Sequence, residues 1–94
     1  MKLPDKLKIG GIILNAITDE HLAGADDRFG ECDLIRGRIV IDGTQPDDHK
    51  DVVLLHEILE VINKEHQLEL EHRQITSLAS CLYQVFKDNK ISFE

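Results

Sequence analysis

Between Val52 and Ile62 the chain carries Val52, Val53, Leu54, Leu55, Ile58, Leu59, Val61 and Ile62. On a helical wheel these side chains cover most of the circumference, and a helix that is apolar nearly all round is buried on several sides. One stripe stays polar: His56, Glu57, Glu60, Asn63 and Lys64. The helix is expected over 47–66. Pro46 suits a first turn, and Asp47, Asp48 and Asp51 set negative charge at the positive end of the helix dipole. A short connection, Gln67-Leu68-Glu69-Leu70, leads to a second helix over about 71–88. Its apolar residues Ile75, Leu78, Ala79, Leu82, Val85 and Phe86 recur at helical spacing.

Before Pro46 the chain reads as extended, over about residues 7–43. Lys8 to Ile17 is rich in β-branched residues, interrupted by Gly10-Gly11 as a turn or bulge. Residues 18–29 have loop composition. Glu31–Arg36 and Arg38–Asp42 flank Gly37 as a hairpin would. The expected fold is α+β: about three antiparallel strands in a small sheet, then two packed helices, in one domain covering residues 1–94.

Composition narrows the function. At 41% hydrophobic and 31% charged the chain is globular, and with 4% aromatics and no Trp its core must be Leu, Ile and Val. A net charge of −7 argues against a nucleic-acid partner. No apolar run approaches the ~20 residues that span a bilayer. Met1-Lys2-Leu3-Pro4-Asp5-Lys6 carries charge where a signal peptide is apolar, so a cytoplasmic protein is expected. Cys32 and Cys81 lie far apart and read as reduced packing thiols.

The string Leu54-Leu55-His56-Glu57-Ile58-Leu59-Glu60 begins like the zinc-peptidase motif His-Glu-x-x-His, with Glu in place of the second His. In that motif two ligands at i and i+4 grip one metal, and the Glu at i+1 takes a proton from water. Here His56 and Glu60 hold the ligand positions and Glu57 the catalytic-base position. A carboxylate can ligate zinc at ~2.0–2.2 Å. The plainer reading is a solvated helix face. In an otherwise apolar helix, the stripe faces either solvent or an internal cleft.

Together with Val61-Ile62-Asn63, Ile75-Thr76-Ser77-Leu78-Ala79 and Leu82-Tyr83-Gln84-Val85-Phe86-Lys87-Asp88-Asn89, this string resembles a family of small phage and prophage proteins that look like minimal zincin metallopeptidases. The resemblance runs from about Leu7 to Asn89. It implies a gluzincin-like layout, a zinc cofactor, a peptide or protein substrate, and a third ligand, a Glu, from the second helix. Here Glu60 replaces the second His, and Thr76 stands where the downstream Glu is expected. His72, four residues before Thr76 and on nearly the same helix face, would complete a His₂Glu set with His56 and Glu60. Its plainer reading is an exposed helix-start histidine. The expected function is a phage-derived, variant or degenerate zinc metallopeptidase with water activated by Glu57. The alternative is a non-catalytic protein–protein interaction module on the same scaffold.

Other groups are weaker candidates. Glu69-x-x-His72 is half of a di-iron motif, which needs ligands from four helices. His21, His49 and His66 read as loop or helix-end residues, Cys81 as core packing, and Cys32 as lacking a His or Lys partner. Tyr83 is a helix-boundary residue or an oxyanion donor.

Overall fold

The computed structural model describes residues 4–20 and 29–91. Among the described residues, four strands, β1 (Lys6–Ile9), β2 (Ile12–Asp19), β3 (Gly30–Asp33) and β4 (Arg38–Asp42), precede two helices, α1 (Asp47–His66) and α2 (His72–Asp88). The fold is α+β, but the sheet has four strands where about three were expected, and it is mixed. Its order is β1-β2-β4-β3; the outer pairs are antiparallel, while β2 and β4 run parallel.

One local feature accounts for the extra strand. Gly10-Gly11 is a two-residue turn closed by the Ile9–Ile12 pair, so the β-prone run becomes a hairpin rather than one strand. Gly10 sits at φ +59°, at the first central position, where a II′ turn favours glycine. The expected second hairpin forms with Asp33 opposite Arg38. Its turn is held by the Arg36 amide and guanidinium, each donating to the Asp33 carboxylate at 3.0 Å. That arrangement holds the Asp33 carboxyl below the usual carboxylate range, chiefly through the Arg36 amide. The parallel pairing arises because β4 inserts between β2 and β3, leaving β3 at the sheet edge.

Alternation along the strands turns Leu14, Ile39 and Ile41 onto the face that meets Leu54 and Val61 of α1, and these five residues form the buried core. Leu7, Ile9, Ile12, Leu34, Val53 and Ile58 close around it. In α2, Ile75 and Ala79, one turn apart, are fully covered. Leu78 and Val85 stay exposed, contrary to the stripe read from the sequence. Among the described residues the helix packs mainly on α1, and that contact does not cover the whole apolar face. Among the described residues no helix is long and apolar enough to cross a membrane.

The close seat of α1 on the sheet edge depends on Gly30. A Cβ there would lie 2.6 Å from Val53 Cγ1 and 3.2 Å from Glu57 Oε2. Val53 is β-branched and stiff, so Gly30→Ala should push the helix outward. The expected cost is about 1–3 kcal/mol, the usual range for overpacking. Urea denaturation of the metal-free protein checks it; an unchanged midpoint would mean the helix shifts at no cost.

Candidate metal centre

Of the polar stripe of α1, Lys64 is exposed, while His56, Glu57, Glu60 and Asn63 are buried or partly buried. Glu57 is only 6% exposed, turned toward Gly30 at the start of β3. His56 and Glu60 lie one turn apart, and both are largely covered.

The third member arrives through the α1–α2 connection. Gln67 ends α1 in the left-handed region at φ 51°, and its amide donates to the Asn63 carbonyl. The Asn63 side chain then grips the returning chain: its Oδ1 accepts from the Leu70 amide at 2.9 Å, and its Nδ2 donates to the Leu70 carbonyl at 3.4 Å. At the entry to α2 the Glu71 amide donates to Gln74 Oε1 at 2.7 Å. The turn is thus tight enough to set His72, the first residue of α2, beside Glu60. Asn63→Ala should cost about 1–2 kcal/mol, the usual penalty for leaving part-buried backbone groups without their partner. It should also speed hydrogen exchange at the Leu70 amide; unchanged exchange there would dismiss the clamp.

His56, Glu60 and His72 each present one ligand atom, and the three atoms lie within 4.8 Å of one another. His56 Nε2 is 3.7 Å from Glu60 Oε1, and His72 Nδ1 is 4.0 Å from the same oxygen. The two imidazoles meet edge to face, with ring centres 4.9 Å apart. Zinc bonds of ~2.0–2.1 Å in a tetrahedron place donor atoms ~3.3 Å apart. Drawing the set onto one ion therefore needs side-chain rotations of about 1 Å. The His72 ring, with its side chain 79% exposed, is placed to make them. Two imidazoles and one carboxylate are a donor set that catalytic zinc accepts, so the residues fit the ion.

Protonation favours the same reading. Burial lowers the His56 pKa, His72 lowers it further, and Glu60 opposes both. The imidazole is therefore neutral, as a ligand must be, at neutral pH. Burial pushes the Glu57 carboxyl up to about 7; the Glu60 charge adds to this, and Lys64 counters it. A group with that pKa can both take and give a proton near pH 7.

A cleft of about 460 Å³ opens beside these groups. It is lined by Phe29 and Gly30 at the start of β3, by Val52, Val53, His56 and Glu57 of α1, and by His72 and Thr76 of α2. Thr76, at the position expected for a downstream Glu, therefore reaches the cleft without a carboxylate. The sequence reading missed Phe29, Gly30 and Val53 as site residues. A glycine at a strand end is a signal of close approach, but only the tertiary structure shows what approaches.

The remaining candidates lie elsewhere. His49 and His66 are exposed in the first and last turns of α1, and Glu69 is exposed in the connection. His21 lies outside the described residues. Cys81 is exposed, not packed in the core, because it falls on the side of α2 away from Ile75 and Ala79. Cys32 does have a lysine partner: Lys64 Nζ donates to its Sγ at 3.4 Å, a contact made across 32 residues of sequence. Burial nevertheless outweighs that cation and raises the thiol pKa, which argues against a reactive nucleophile. Tyr83 lies under the Lys87 ammonium, 5.4 Å from its ring centre. Compared with protein-family models, curated proteins and solved structures, the chain matches none of them.

Proposed function

We propose that the protein is a zinc-dependent hydrolase of peptide bonds, a variant of the zincin type, with His56, Glu60 and His72 holding the metal and Glu57 as the catalytic base. The observation that carries this reading is the convergence of three ligand atoms within 4.8 Å, two of them on His56 and His72, which line the same cleft as the buried Glu57 carboxyl. The order His56-Glu57-x-x-Glu60, which resembles the zinc-peptidase motif, is in keeping with it.

When bound, zinc supplies Lewis acidity toward a carbonyl and acidifies water. The protein's own groups do the rest. His56, kept neutral by burial, presents Nε2 beside Glu60 Oε1. Glu60 brings one negative charge to the set, which strengthens cation binding and tempers the metal as an acid. His72 closes the set from α2. Glu57 accepts the proton of the attacking water as the carbon–oxygen bond forms. It returns that proton to the amine as the carbon–nitrogen bond breaks, a shuttle suited to a pKa of about 7.

The test is zinc content and cleavage of an unstructured protein substrate. Stoichiometric zinc with chelator-sensitive cleavage is expected. Protein that takes up no zinc, with a melting temperature indifferent to zinc and to chelator, would overturn the proposal. It would favour an interaction module, for which the exposed Leu78 and Val85 of α2 offer a contact surface.

A further inference from the structure

The cleft beside the three donors has an apolar wall that the hydrolytic scheme does not use. Val52 and Val53 stand one helical turn before His56 and Glu57, a rise of ~6 Å along α1. Phe29, at the mouth of the cleft, faces solvent over about half its surface, with 56% exposed. Among the described residues, the lining includes no Lys or Arg, and its one carboxylate is Glu57. A cleft of about 460 Å³ falls in the usual range of small-ligand pockets, which are mostly apolar with a few placed polar groups.

Resting on the metallopeptidase reading, we propose that this wall is a side-chain subsite: Phe29, Val52 and Val53 select substrates with an aliphatic side chain of the valine–leucine class next to the bond attacked. Three observations support the assignment. The separation of one turn matches the reach from a carbonyl at the donors to the neighbouring side chain. Apolar surface that stays open to water in the cleft gains from being covered by another apolar group. An acidic side chain laid on Phe29, Val52 and Val53 would lose its hydration against apolar carbon, with no Lys or Arg among the described lining residues to pair it, so acidic residues are disfavoured. Thr76, across the cleft on α2, offers a hydroxyl to the substrate backbone.

The test uses zinc-loaded protein and three probes that differ only in side chain: the N-acetyl hydroxamates of leucine, glycine and aspartate. Calorimetry should show leucine binding about tenfold or more tighter than glycine, the discrimination expected of a few methylene groups in an apolar pocket, and aspartate weakest. Val52→Ala and Phe29→Ala should each reduce the preference for leucine over glycine severalfold while leaving zinc stoichiometry intact. A metal-independent measurement runs beside it. In zinc-free protein, N-acetyl-leucine amide should shift the methyl resonances of Val52 and Val53, and N-acetyl-aspartate amide should not. If zinc binds but the three hydroxamates bind equally, the subsite is refuted and the metal centre stands. If zinc fails to bind but the valine methyls respond to the leucine amide alone, the metallopeptidase reading falls and an aliphatic pocket remains. Valine methyls that respond to neither amide, in protein that binds no zinc, overturn both.

Discussion

Replacing Glu57 by glutamine should make the metal-free protein markedly more stable at pH 8 while strongly slowing hydrolysis by the zinc form. The carboxyl titrates near its ordinary value of 4.5 in the unfolded chain and at about 7 in the fold, because burial and the Glu60 charge oppose ionisation. Below pH 4.5 both states hold the proton and the group is neutral to stability. Between about 4.5 and 7 the folded state keeps a proton that the unfolded state has lost, so stability falls as pH rises; above 7 the loss is complete. A shift of this size corresponds to about 3 kcal/mol. Glutamine has nearly the same shape and no charge, so the variant should lack the decline. In a chain of 94 residues the melting temperature should rise on the order of 10 °C at pH 8 and change little near pH 4. Calorimetric scans in chelator at the two pH values check this. Equal differences at both would mean that Glu57 is not held against ionisation. The same substitution removes the proton shuttle, so cleavage should slow by roughly 10²–10⁴-fold while zinc remains bound. Opposite effects on stability and rate from one atom exchange are the signature of a carboxyl buried for chemistry rather than for the fold.

Removing a ligand should act in the reverse sense, on the metal and on the stability it confers. At a zinc concentration of about 100 Kd the wild type should gain roughly 2.7 kcal/mol from mass action. His56→Ala and Glu60→Ala should each weaken zinc by more than about 100-fold, beyond what outer-shell changes cause, and so erase most of that gain. His72→Ala should weaken zinc as clearly, and because its side chain is mostly solvated it should leave the metal-free melting temperature unaltered. This makes His72 the cleaner probe. Zinc titrations followed by calorimetry would read all three, and a His72→Ala isotherm superimposable on the wild type would strike that residue from the ligand set. Glu60→His, which recreates the two-histidine motif, should keep zinc and lower the Glu57 pKa, since one nearby negative charge is gone. The two sets of variants are linked: Glu57 reports on the field in the cleft, and Glu60 is a large part of that field.

Much of this architecture follows from local chemistry. Helical spacing and the Pro46–Asp51 start define α1, and Ile75, Ala79 and Phe86 define α2, since side chains three and four apart share a face whatever surrounds them. The same periodicity places His56 and Glu60 together, so two of the three donors were legible as a string. What no string contains is decided by packing. The insertion of β4 between β2 and β3 makes a mixed sheet from segments that read locally as hairpins. The exposure of Leu78 and Val85 follows from α2 packing, among the described residues, mainly on α1, and that of Cys81 from its place on the side of α2 away from Ile75 and Ala79. His72 could be nominated from the sequence, but its approach to Glu60 depends on the Asn63 clamp and a left-handed Gln67, which set the angle between the helices. The state of Glu57 is decided wholly by tertiary structure. A glutamate on a helix is an ordinary acid in water, and it titrates near neutrality here because Gly30 lets the sheet edge come close enough to exclude solvent from it. Covalent spacing sets which side chains can meet along one element; solvent exclusion and field depend on elements remote in sequence, and those only the folded chain brings together.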